Sequence, residues 1–214
     1  MPEIRPTFSR PPVAATRCPR EDSGMELIGG IEKRDIHIVD YDPAWSQRFA
    51  TEHARIARAL GATARRIDHI GSTSVPGLAA KPIVDIDLCV PDVEDEGAYL
   101  PPLLAAGYQL RVREPGHRMV RTPQRDVHVH IVTVGSDWEH RQLLFRDWLR
   151  HDSRDRIAYE QLKRRLAQQN WADMNDYADA KGPLIAEIIQ RAQAWAESID
   201  WTPEEPASPT LGDK

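Results

Sequence analysis

Two periodicities alternate along this chain and then give way to one. Ile36-His37-Ile38-Val39 alternates apolar with polar and predicts a short strand. Asp42-Pro43 supplies an N-cap and a proline at the first helical position. Trp45, Phe49, Ile56 and Leu60 then fall on one helical face, and Gly61 ends the helix. Strands are predicted at about 66–70 and 83–90, a helix at 93–106 closed by Gly107, and strands near 108–113, 118–122 and 127–134. From Asp137 onward only the helical period remains, predicting helices over 138–149, 154–169 and 173–199. Leu143, Leu144, Trp148, Leu149, Ile157, Leu162, Leu166, Leu184, Ile188, Ile189 and Trp195 supply their apolar stripes. A mixed sheet first and a helical cap last is an α+β layout.

The ends show no such pattern. Residues 1–30 carry five prolines, and four arginines balanced by four acids, so they read as a disordered tail rather than a nucleic-acid arm. Residues 201–214, with three prolines and a net charge of −2, read as a second tail. That leaves one domain over residues 31–200. The 214 residues, 41% of them hydrophobic, suit a single core. No apolar run reaches the roughly 18 residues of a membrane span, and no apolar stretch follows the N-terminal arginines to make a secretory signal. Cys18 and Cys89 cannot build a disulfide framework or a four-cysteine zinc site. These features lead us to expect a cytoplasmic protein, and the net charge of −5 argues against a nucleic-acid partner.

The chemistry concentrates between His69 and Leu88. On the strand near 83–90, Val84, Ile86, Leu88 and Val90 share one face, and Asp85 and Asp87 share the other. At the rise of a strand their Cα atoms lie roughly 6.6 Å apart. Two like charges so placed repel unless a cation sits between them, and a divalent ion with oxygen ligands would do so. An edge strand with an acidic outer face is the competing reading. Ahead of this strand, Gly71-Ser72-Thr73-Ser74 forms a turn of the kind that offers backbone N–H groups to a phosphate. It is not a P-loop, because the next glycine, Gly77, is one position too far on and is followed by Leu78. Nor is it a nucleophile elbow, for no serine here has glycines at the required offsets.

A glycine-serine turn followed by an Asp-x-Asp strand resembles the nucleotidyltransferase superfamily typified by polymerase beta. The string from His69 to Leu88 is close to the signature of its GrpB family. So are Asp42-Pro43-Ala44-Trp45, His128-Val129-His130-Ile131, the run from Leu144 to Arg150, and Tyr159 through Lys163, so that the resemblance covers roughly residues 36 to 195. It implies that Asp85 and Asp87 ligate magnesium or manganese, that Gly71 and Ser72 hold phosphates, and that a nucleoside monophosphate passes from a nucleoside triphosphate to a small-molecule or protein hydroxyl. Where the superfamily has a third acid, this chain has His128 and His130, with Asp126 at the head of the same strand. Histidine suits a transition metal better than magnesium. Lys81, Arg146, Lys163 and Lys181 are the expected cations of the nucleotide site. Tyr159 and Tyr177 each stand four residues before a lysine. Family relatives fused to dephospho-coenzyme A kinase imply a second reading, a non-catalytic nucleotide-binding or folding-helper module serving a separate kinase chain. A hydrolase centre on His69, His128 and His130 is the third.

Overall fold

The computed structural model describes residues 24–30, 35–171 and 174–203. The expected tails over 1–23 and 204–214 lie outside the described residues. The elements run β1 (Glu26–Leu27), α1 (Ala44–Leu60), β2 (Arg66–Ile70), β3 (Val84–Val90), α2 (Glu96–Ala105), β4 (Gln109–Glu114), β5 (His117–Arg121), β6 (Val127–Thr133), α3 (Asp137–His151), α4 (Ser153–Ala167), α5 (Met174–Asp179) and α6 (Gly182–Ser198). The strands form one six-stranded sheet in the order β1-β4-β5-β6-β3-β2. Every neighbouring pair is antiparallel except β3 and β6, which run parallel. This is the α+β fold that the order of periodicities predicts.

The strand faces divide as the alternation requires. Val84, Ile86, Leu88 and Val90 enter a core with Trp45, Ile56 and Leu60 of α1 and Tyr99, Leu100 and Leu103 of α2. A second apolar cluster sits in the helical cap. There Val75 and Leu78, from the segment after Gly71, pack with Leu144, Trp148 and Leu149 of α3, Tyr159 of α4, and Ile188 and Ala192 of α6. The glycine-serine turn is therefore anchored in the cap as well as on the sheet. Because β3 lies between β2 and β6, the edge-strand explanation of its two aspartates does not hold.

Four expectations change. The strand over 36–39 reduces to one isolated bridge, Val39 to Ala80, because no strand lies alongside to extend it. The helix over 173–199 is two helices, with Pro183 in the first turn of α6, where its missing N–H costs nothing. Ile157 of the α4 stripe is 55% exposed, and the buried stripe of that helix is Asp155, Tyr159, Lys163 and Leu166. Residues 24–30, expected as tail, contribute β1. Glu26 and Leu27 pair with Arg113 and Val112, Arg113 Nη1 bonds Glu26 Oε2 at 2.7 Å, and the Arg111 guanidinium donates to the carbonyls of Ile28 and Gly30. Backbone and arginine contacts hold that strand, so it leaves no hydrophobic period. At the other end Trp201 packs against the cap cluster, 6.4 Å from the Trp195 ring.

Candidate metal and phosphate site

The parallel register of β3 and β6 puts Asp85 beside His128 and Asp87 beside His130, all on the face away from α1. Asp85 Oδ1 lies 3.4 Å from His128 Nδ1 and 3.7 Å from His130 Nε2. Asp85, His128 and His130 each offer a ligand atom within 4.8 Å of the others. Burial works to raise the Asp85 carboxyl, but the two imidazoles outweigh it and hold it well below the usual carboxylate range. Behind the cluster, His117 Nε2 lies 3.0 Å from His130 Nδ1, and His117 Nδ1 lies 2.6 Å from Glu114 Oε1. Burial, with the His130 and Arg118 charges, lowers the His117 pKa to about 3, so its ring is neutral. His117 thus takes up His130 Nδ1, and Nε2 is the nitrogen that His130 turns toward Asp85.

The turn lies against this cluster. Gly71 has φ 68°, and a Cβ there would come within 2.7 Å of Asp85 Oδ2, so only glycine allows the approach. Ser74 Oγ donates back to the Gly71 carbonyl at 2.6 Å and closes the turn. Between the turn and the cap lies a cavity of about 130 Å³, lined by Gly71, Ser72, Thr73, Asp85 and His128 and, from the segments opposite, Lys81, Tyr159, Lys163, Tyr177 and Lys181. Lys163 is buried, donates to the Ala79 carbonyl and stands 4.8 Å from the Tyr159 ring. Burial first, and then the charge of Lys181, lowers its pKa to about 7. Burial also lowers the Lys181 pKa, against the pull of Asp85. Three lysines share a cavity with one carboxylate, and an anion bound there would favour their charged forms.

Three expected site residues do not line this cavity: His130 stands beside it, clustered with Asp85 and His128, and the other two lie away from it. Asp87 is 1% exposed beneath α3, and neither carboxylate oxygen has a hydrogen-bond partner among the described residues. Burial, with Glu139 and Asp68 nearby, raises its pKa to about 8. Arg146, expected at the nucleotide, is 5% exposed and spans α3 to β2. It donates to Asp68 Oδ1 at 3.0 Å, to the His69 carbonyl at 3.3 Å and to Asp147 Oδ1 at 2.7 Å. The third reading fails on the side of the sheet. His69 pairs with Ile86, stacks on Phe49 at 4.9 Å and bonds Thr73 Oγ1 at 3.0 Å, on the α1 face. The residues that sequence reasoning missed are His117 and Glu114. The repeated Tyr-x-x-x-Lys spacing pointed to the tyrosines, whereas His117 left no spacing signal.

Residues 35–191 match the model of the family described as GrpB protein. The chain belongs to the GrpB family. That family sits in the nucleotidyltransferase-like superfamily. A UPF0157 protein of Streptomyces coelicolor is 56% identical to this GrpB-family chain over 170 residues, covering 79% of it and 91% of the relative. The crystal structure of the conserved protein GrpB from Enterococcus faecalis matches with a TM-score of 0.66 and 32% identity, covering 74% of this chain and 99% of that one. A protein of Mycolicibacterium paratuberculosis named dephospho-CoA kinase is 31% identical over 202 residues, which are 81% of this chain but only 50% of the kinase-named protein. Among the described residues no helix is long and apolar enough to cross a membrane.

Proposed function

We propose that this chain is a metal-dependent nucleotidyltransferase that takes a nucleoside triphosphate and passes its monophosphate to a hydroxyl acceptor. The observation that carries the reading is the convergence of the Gly71-Ser72 turn, three lysines, Asp85 and His128 on one cavity, with His130 beside it in the same cluster of ligand atoms. Lys81, Lys163 and Lys181 would neutralise the phosphates, and Gly71 and Ser72 would bring backbone against them. Two imidazoles and one carboxylate fit manganese, zinc or iron better than magnesium. Bound there, such an ion would offset the charge that develops on the phosphoryl oxygens. In the reaction the acceptor oxygen bonds the α-phosphorus, and the bond from that phosphorus to the bridging oxygen breaks. Pyrophosphate leaves with the electron pair, and the acceptor's proton is released to solvent.

The test is calorimetric titration of each nucleoside triphosphate with manganese, zinc or magnesium. Asp85→Asn is expected to weaken metal-dependent binding by more than roughly 100-fold, since it removes a metal ligand rather than that ligand's support. Equal binding by wild type and variant would take Asp85 out of the site. His117→Phe keeps a ring in the stack on Trp138, whose centroid lies 5.3 Å from that of His117, but deletes the contact to His130. It is expected to weaken manganese or zinc affinity about tenfold; no change would reduce His117 to packing.

A second reading, the non-catalytic nucleotide-binding or folding-helper module, is favoured by the burial of Asp87, which leaves one carboxylate at the cavity. The relative named dephospho-CoA kinase, matched over half its length, makes such a kinase chain the partner to try first. Tight metal-dependent nucleotide binding without pyrophosphate release, across an acceptor screen, would select this reading.

A further inference from the structure

This inference rests on the nucleotide-binding reading above and concerns what part of the ligand the cavity recognises. Tyr177, on α5, is 1% exposed, lines the cavity, and its hydroxyl has no hydrogen-bond partner among the described residues. Buried hydroxyls are nearly always bonded, and one left unbonded costs free energy. Here the missing partner has an evident place. Lys181 Nζ stands 4.8 Å and Lys81 Nζ 5.3 Å from the centre of the same ring, so an anion drawn in by these ammonium groups arrives beside the phenol. Burial raises the pKa of Tyr177, so the group keeps its proton and acts toward an anion as a donor.

The lining narrows the ligand further. The cavity of about 130 Å³ is lined on two sides by lysines and hydroxyls, a lining that suits the end of a phosphate chain. Among the described residues the lining offers ammonium groups, hydroxyls, one carboxylate and one imidazole, but no side-chain amide to read the edge of a base. The ring of Tyr177 is engaged by two ammonium groups and that of Tyr159 by Lys163, so neither presents itself for stacking a base.

We propose that the Tyr177 hydroxyl donates to the terminal phosphate of the ligand, and that this cavity selects a phosphate chain while leaving the base outside. Inorganic triphosphate is then as good a ligand as a nucleotide. The experiment is calorimetric titration of the full chain, with manganese, by inorganic triphosphate, ATP and UTP, for wild type and Tyr177→Phe, together with melting curves in the absence of ligand. On wild type the three ligands are expected to bind within about threefold of one another, and Tyr177→Phe to weaken all three about tenfold or more, the loss of a hydrogen bond to a charged group. The variant's ligand-free melting temperature is expected to be unchanged or higher, because the group removed had no partner.

Unchanged affinity in the variant overturns the inference but leaves the nucleotide reading standing. So does a lower ligand-free melting temperature, which would show that the hydroxyl serves the fold. Nucleotides binding more than about 30-fold tighter than inorganic triphosphate would mean that the base is read, which also overturns it. No binding of any of the three to wild type removes the nucleotide reading and this inference together.

Discussion

Ile86→Asp is expected to leave the chain without a cooperative folded state. Ile86 is completely buried at the centre of β3, packed in the cluster that joins the sheet to α1 and α2. Its removal forfeits about 2–3 kcal/mol of apolar burial. The carboxylate put in its place would be desolvated among aliphatic side chains with nothing to bond, at a further cost of several kcal/mol. Against a total stability of about 5–15 kcal/mol, the two losses together are decisive. Circular dichroism against temperature reads the outcome: no sigmoidal transition is expected. Asp85→Asn, one position away on the opposite face, is the control and should still melt cooperatively, at a lower temperature because the contacts of its carboxylate with His128 and His130 are weakened. A normal melting curve for Ile86→Asp would mean that the faces of β3 are reversed and that the aspartates point into the core.

The second large effect concerns Asp87 and depends on pH. Its carboxyl stays protonated in the folded protein up to about pH 8, whereas the unfolded chain loses that proton above the ordinary value of 3.8. Between those values unfolding releases a proton, so rising pH destabilises the fold throughout that window and the effect levels off above about 8. Each pKa unit corresponds to about 1.4 kcal/mol, so the full penalty is on the order of several kcal/mol. Asp87→Asn cannot ionise. A buried amide without partners costs something as well, on the order of 1–3 kcal/mol, but equally at every pH. The melting temperature of wild type is therefore expected to fall more steeply than that of Asp87→Asn from about pH 5 to pH 8, with the two curves parallel above that. Curves parallel throughout would show that the Asp87 proton is not linked to folding. Metal affinity is expected to be the same in both proteins, in contrast to Asp85→Asn.

The two aspartates also mark how far the sequence can be read. Alternation along 83–90 correctly puts Asp85 and Asp87 on one face and the apolar residues on the other. It cannot say that α3 covers one and leaves the other at a cavity, because that follows from how a helix some fifty positions later packs on β2 and β3. Arg146 illustrates the same point. Its spacing from Arg150 is visible in the sequence, but the carboxylate it meets, Asp68, is set by the docking of α3. The glycine-serine turn was readable because its constraint is local. Gly71 needs a positive φ, and the clash that forbids a side chain involves the strand that follows almost at once. His117 was not readable, since its value lies in a partner across the β5–β6 pair. β1 stayed hidden because two arginines of β4, not burial, hold it in place.

The parallel pairing of β3 with β6 bears on how the molecule comes into being. An antiparallel hairpin such as β4–β5 can close early from neighbouring residues, but β3 must wait until α2, β4, β5 and the crossover between them have been laid down. Asp85 acquires its histidines only at that moment, and Lys163 and Lys181 join Lys81 later still, from the far end of the chain. A nascent chain released from the ribosome at the end of β3 would hold the glycine-serine turn and both aspartates and yet have nowhere to keep a cation. An ion held by the cluster would thus report that synthesis has passed β6 and that the sheet has closed, and a ligand of the cavity would be captured last in assembly.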